Sequence, residues 1–175
     1  QLEYVSASPT ISVLLNVFEE HLDHYVDFNA YRDAKYNIFK YQTENDTLIV
    51  NSDLDLPDCK SKKIYTSNKK IDANEYVYVD DKLNIKVGED AFSIPVSDIK
   101  THLIGIHNIY NIGIALCACK VVGVDYIDAL KAVETFGGLE HRLEYVGEVN
   151  KVKFYNDSIC TIPAATIAAV NCFSK

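Results

Sequence analysis

His21, Asp23 and His24 stand together just after Thr10 to Val17, a β-branched apolar run that reads as a buried strand. Imidazole and carboxylate groups so placed can ligate a metal ion, and oxygen donors would favour Mg2+ over Zn2+. In open α/β sheets, ligands collect beyond the carboxyl ends of strands, which is where this cluster falls. The same residues also suit a polar loop that caps the next helix, and short His/Asp patterns often occur without a metal. Lys35 follows within an expected helix over 28–42, on or beside its apolar stripe of Phe28, Tyr31, Ala34, Ile38, Phe39 and Tyr41. Burial lowers the pKa of an amine. A neutral amine can add CO2, and the resulting carbamate is an anion suited to holding Mg2+. The alternative is a lysine that extends its ammonium to solvent.

A second set of residues suits a nucleoside. Asn108 and Asn111 are three apart at a helix start and share one face. An amide both donates and accepts, as the edge of adenine requires. Ordinary N-capping by His107 or Asn108 is the competing reading. His141, Arg142 and Asp157 form the third group. His and Arg can stack on or bond a nucleotide, and a carboxylate can accept from both ribose hydroxyls. The competing reading is a charged hairpin facing solvent.

The elements that must position these residues alternate between strand and helix. Thr47 to Val50 is a short strand. Short β segments follow at Ile64-Tyr65, Glu75 to Val79, Leu83 to Val87 and Phe92 to Val96, with a hairpin turn at Asp80-Asp81-Lys82. Leu103 to Ile106 reads as a strand, followed by a helix from His107 to Val122 that closes at Gly123. A further helix spans Asp125 to Phe136, and Gly137-Gly138 reads as a hinge. Leu143 to Val149 and Val152 to Tyr155 alternate like a hairpin turning at Asn150-Lys151. Pro163 opens a last helix running to Phe173.

Composition sets the limits. A length of 175 residues suits one domain, or one plus part of another, and 48% apolar content can bury a core. The net charge of −8 argues against nucleic acid as a partner. The five cysteines show no C-x-x-C and read as reduced thiols in a cytoplasm. No segment has the apolar length of a membrane helix, and the start is not a signal peptide. The chain contains no Met, so Gln1 reads as an internal residue of something longer. It also contains no G-x-x-x-x-G-K-[ST] phosphate loop.

Five blocks carry a resemblance. They are Asn16-Val17-Phe18-Glu19-Glu20-His21-Leu22-Asp23-His24, Ala34-Lys35, His107-Asn108-Ile109-Tyr110-Asn111, His141-Arg142-Leu143-Glu144 and Asn156-Asp157-Ser158. Together they resemble the Mur ligases, and within them the branch that adds D-glutamate. The resemblance covers most of the chain, with residues 52–100 matched only by position. It implies an α/β fold with a mostly parallel sheet flanked by helices. Residues 1–137 would be the later part of a P-loop NTPase-like central domain, without its phosphate loop. Residues 138–175 would open a Rossmann-like C-terminal domain.

The resemblance also implies roles. His21 and a carbamylated Lys35 would hold the second Mg2+ and serve catalysis, with Asp23 and His24 weaker candidates. Asn108, Asn111, His141, Arg142 and Asp157 would bind ATP, with Asn111 the better adenine contact. Gln1, in the tail of a S-S-F-Q-L-E block, and Thr161 would contact the muramoyl substrate and D-glutamate. Two departures stand out: Glu20 replaces the commoner Asp, and Ile159 replaces a Lys. The implied reaction joins D-glutamate to UDP-N-acetylmuramoyl-L-alanine with ATP, through an acyl phosphate. A cytoplasmic monomer without membrane or nucleic-acid partners is expected, and the chain alone is expected to be inactive. The alternatives are another Mur ligase or a folylpolyglutamate synthase-like ligase, a non-catalytic nucleotide-binding fragment, and a metal-dependent hydrolase built on His21, Asp23 and His24.

Overall fold

The computed structural model describes residues 2–19 and 23–173. They form two compact units. One runs up to Asp80 and takes in Asn84–Phe92, and the other holds Asp81–Leu83 and the residues from Ser93 onward. The Gly137-Gly138 step falls inside the second unit.

The first unit is built on β1 (Ile11–Leu14), β2 (Thr47–Asn51), β3 (Lys62–Ser67) and β4 (Tyr76–Val79), with helix α1 (Phe28–Tyr36) between the first two strands. These four strands run parallel, with Leu14 opposite Val50 and Val50 opposite Tyr65. Strands β5 (Lys82–Val87) and β6 (Asp90–Pro95) complete a six-stranded sheet in sequence order. Each follows its predecessor after two residues, a connection that suits a hairpin and is too short for a parallel crossover. Leu48, Ile49 and Val50 are all fully buried, as expected of a parallel strand covered on both faces. Leu14, Tyr36, Phe39, Leu48 and Val50 make one apolar cluster, with Val17, Leu54 and Leu56 packed against it.

Helix α1 starts where Asp27 caps it, its carboxylate accepting from the Ala30 N–H at 2.8 Å. It ends at Tyr36, short of the expected Gln42. The carbonyls that a longer helix would use are taken by hydroxyls: Ser8 Oγ donates to Asn37 O at 2.8 Å and Ser12 Oγ to Ile38 O at 2.6 Å. The Gln42 amide then joins Pro9 O, Ser12 Oγ and Thr47 O. A local helical stripe has yielded to long-range bonds that fasten the α1 exit to β1. The first strand is also shorter than the apolar run suggests, since its pairing with β2 ends at Leu14.

The second unit contains α2 (Ile106–Val121), α3 (Tyr126–Thr135), the hairpin β7 (Glu144–Val149) and β8 (Val152–Asn156), and α4 (Pro163–Asn171). Residues 101–105 are irregular, and no strand forms at Leu103–Ile106. The Ile104 carbonyl accepts from the Asn108 side chain at 2.8 Å, where a ladder partner was expected. Gly123 follows α2 with φ +88, and Asp125 caps α3 through the Ile127 N–H at 2.9 Å. Asn150 and Lys151 both have positive φ, 50° and 65°, as a two-residue type I′ hairpin loop requires.

Candidate nucleotide site

The first turn of α2 is left without a side-chain cap. Gly105 stands at the cap with φ +94 and no side chain to donate or accept. A Cβ added there would lie 2.9 Å from His107 Cε1 and would also run into Cys172 Sγ. Glycine is therefore required twice, by the backbone angle and by the close approach of two side chains. Neither His107 nor Asn108 caps this helix, so the capping alternative is not what the structure shows. Asn108 reaches back to Ile104 O, and Asn111 Nδ2 donates to Asn108 Oδ1 at 3.4 Å. The two asparagines share a face, with Asn108 half-buried and Asn111 exposed.

The H-R-L-E and N-D-S blocks, apart in sequence, are tied to one another. Asp157 Oδ1 accepts from the Leu143 N–H at 3.0 Å. The His141 carbonyl accepts from Ile159 N–H at 3.3 Å. Glu144 Oε2 accepts from the His141 N–H at 2.8 Å, and Asn156 Nδ2 lies 2.8 Å from His141 Nδ1. His141 and Leu143 flank Arg142 with φ 64 and 47, an uncommon conformation for residues with a Cβ. Such backbone persists where surrounding bonds fix it, and here two carboxylates do so. His141 and Arg142 are exposed, as a solvent-facing hairpin would have them. The bonds, however, hold both in one arrangement.

Electrostatics link these blocks to α2. The His107 imidazole is held below its ordinary range, first by burial, then by the Arg142 guanidinium, with Asp157 acting in the opposite sense. The charges of Arg142 and Asp157 are thus both felt at His107, in the first turn of α2. Cys172 Sγ lies 3.7 Å from His107 Nδ1 and donates to Ala168 O at 3.1 Å. Hydrogen bonding to the Asp157 carboxylate, with burial second, raises the Cys160 thiol above its ordinary value. Thr161 and Ile159 are both exposed in the segment before α4. His107, Glu144, Asn156 and Cys172 were not predicted as site residues. His107, Glu144 and Asn156 lay inside the recognised blocks, but nothing in their spacing showed that Glu144 and Asn156 bond each other and His141.

The first unit holds the residues predicted for metal. Lys35 is half-buried, with Nζ 5.1 Å from the centroid of the Tyr31 ring. That places the amine beside an aromatic face rather than fully in solvent. His24 Nε2 lies 3.4 Å from Glu3 Oε2 and its ring packs on Tyr25. Asp23 is exposed. Gln1 and His21 lie outside the described residues. Among the described residues no three His, Cys, Asp or Glu side chains are arranged to hold a metal ion. An open groove of about 520 Å³ lined by Ser52, Lys63, Tyr65, Asp72, Asn74 and Glu75 contains none of the predicted site residues.

A mostly parallel sheet with a helix between its first two strands defines an α/β protein. Residues 1–119 match the Mur ligase middle domain, and the chain belongs to the Mur ligase family. It is 41% identical over 182 aligned positions to a UDP-N-acetylmuramoylalanine--D-glutamate ligase of Clostridium botulinum (strain Hall), covering 100% of this chain and 38% of that protein. Ligases of the same name from Acetivibrio thermocellus and Clostridium perfringens are 38% and 36% identical, again with 38% of their length covered. The chain thus spans about two fifths of the length of these curated relatives. Among solved structures, MurF of Acinetobacter baumannii superposes with TM-score 0.66 at 16% identity, over 94% of this chain and 37% of that one. MurF of Thermotoga maritima in complex with ADP gives 0.66 at 18%, over 95% and 39%. At such identities the likeness is one of fold.

Proposed function

We propose that the protein to which this chain belongs joins D-glutamate to UDP-N-acetylmuramoyl-L-alanine at the expense of ATP. The observation that carries this reading is the bonding of H-R-L-E to N-D-S through Asp157 and Leu143. It turns two separate matches into one surface, in the same unit as Asn108 and Asn111. The identity to ligases named for D-glutamate supports the choice of amino acid.

In this reading Asn111 meets the adenine edge and Asn108 orients it. Asp157 accepts from the ribose with the oxygen not bonded to Leu143 N–H. Arg142 and His141 contact the nucleoside beside it. The substrate carboxylate attacks the γ-phosphorus of ATP and releases ADP. The D-glutamate amine then attacks the acyl phosphate carbon, loses a proton, and phosphate departs as the amide forms. Thr161 and Gln1 contact the amino acid and the muramoyl substrate. Mg2+ would neutralise charge on the transferring phosphoryl group, with His21 and a carbamylated Lys35 as its ligands. The carbamate on Lys35 rests on the likeness of the Ala34-Lys35 block to the carbamylated lysine block of the Mur ligases. The domain assignment follows the same reading: residues 1–137 belong to the central domain and 138–175 open the next. The protein would act as a cytoplasmic monomer. The 175-residue chain by itself, having no phosphate-loop motif, would contact nucleotide without turnover.

The test is phosphate release by the whole protein with ATP, the muramoyl-alanine substrate and D-glutamate. Release that requires all three is expected. Release with a different amino acid in place of D-glutamate would assign another ligase of the family, and hydrolysis needing neither acceptor nor ATP would point to the hydrolase.

A further inference from the structure

Asn156 and Glu144 bond each other as well as His141, and these bonds fix the state of its ring. The orientation of the Asn156 amide is fixed from two sides, neither involving His141. Its Oδ1 accepts from the Ser158 N–H at 3.1 Å, so that end must be oxygen. Its other end lies 3.2 Å from Glu144 Oε2, so that end must be the donating NH2. The same NH2 lies 2.8 Å from His141 Nδ1. A donor there requires an acceptor, so Nδ1 carries no hydrogen and the ring proton sits on Nε2. Glu144 Oε2 is farther from Nδ1, at 3.8 Å. Its bond to the His141 N–H at 2.8 Å holds the main chain of that residue in its left-handed turn. One carboxylate therefore fixes both the backbone of His141 and the amide that selects its tautomer.

We infer that Asn156 and Glu144 are positioning residues that keep His141 as the Nε2–H tautomer, so that the ring offers the nucleotide a donor. The part concerning the nucleotide rests on the function proposed above, whereas the tautomer does not. A hydrogen-bond acceptor such as a ribose oxygen or a phosphate oxygen is the group this ring would take. The Asn of N-D-S thus acts on the nucleotide through His141, and the Asp acts directly.

The test reads the imidazole itself. Two-bond 1H–15N correlation spectra of 15N-histidine-labelled protein distinguish the tautomers, and loss of one ring's signals in His141→Gln assigns His141. The wild type is expected to show an unprotonated Nδ1 and a protonated Nε2. Asn156→Asp replaces the donor by an acceptor and is expected to move the proton to Nδ1, or to leave both nitrogens protonated. ATP binding should weaken roughly fivefold, the worth of one hydrogen bond. A wild-type Nδ1–H, or an Asn156→Asp spectrum unchanged from wild type, would overturn the inference. The wild-type spectrum decides this even if the variant fails to fold. A changed tautomer with ATP binding unaltered would uphold the positioning role and remove His141 from the nucleotide site, so the two readings fail separately.

Discussion

Asn111 presents an amide on the exposed side of α2, and its neighbour Asn108 is already engaged with Ile104 O. Under the proposed function, Asn111→Ala should raise the KM for ATP roughly tenfold, the equivalent of about 1.4 kcal/mol in lost hydrogen bonds. Asn108→Ala should cost more in stability than in binding, which thermal unfolding would separate from KM. In the complete enzyme Lys35→Ala should abolish turnover, and short carboxylates should restore part of it by replacing the carbamate. Full activity without Lys35 would end that assignment. His107 gives a pH dependence whose sign follows from its burial. Its pKa is lowered in the folded state from 6.5, so below that pH the unfolded chain takes up a proton that the folded one refuses. His107 contributes stability fully above about pH 6.5, and that stability is lost as pH falls toward the folded-state value. His107→Gln should therefore flatten the stability profile on the acid side of neutrality, read by urea unfolding at several pH values. At this scale the sequence revealed residue types but not partners. Arg142 and Asp157 were legible from their blocks, while the pressure of His107 and Cys172 on Gly105 arises only once α4 and α2 meet.

The elements with strong periodicity were the ones the sequence disclosed. The helix over 106–121, the hairpin turn at Asn150-Lys151 and the helix opened by Pro163 all stand close to where pattern and caps put them. The failures share a cause. Residues 37–42 and 103–106 have the right apolar content for helix and strand, yet their carbonyls are bonded by Ser8, Ser12 and Asn108. The Ser8 and Ser12 bonds span 29 and 26 residues and are invisible to a local pattern, whereas Asn108 competes for the Ile104 carbonyl from four residues away. Two substitutions follow from the backbone. Gly105→Ala should destabilise by about 2 kcal/mol or more, because the positive φ is retained while the new methyl meets two side chains. Lys151→Gly should stabilise the hairpin by about 0.5–1 kcal/mol, since glycine tolerates the second left-handed position of the turn. Chemical denaturation of both variants measures these effects.

Across the molecule, apolar surface is unevenly spread. Val146, Val149 and Val152 on the hairpin, and Ile167 and Val170 on α4, are each more than half exposed. The helix α4 carries apolar residues on every side, a pattern found in helices that proteins bury. The 175-residue chain in isolation should therefore bind a hydrophobic dye such as ANS, and Ile167→Glu with Val170→Glu should reduce that signal. An unchanged signal would locate the dye elsewhere. The net charge of −8 opposes association of such surfaces, so light scattering should rise with salt as that repulsion is screened. The candidate residues are shared between two units, metal candidates in the first and nucleotide candidates in the second.

The Cys172 thiol has a use as a clock. It lies at the end of α4, against Gly105 and beside His107, and burial keeps it more protonated than a free thiol. The thiol is partly buried, so a maleimide should react faster when that end of the helix lifts away, because the reactive species is the exposed thiolate. The alkylation rate, compared with that of a Cys172-containing peptide, reports how far this seam shields the thiol. Repeating it with ATP present would show whether nucleotide slows the opening, a kinetic readout that needs neither turnover nor a second substrate.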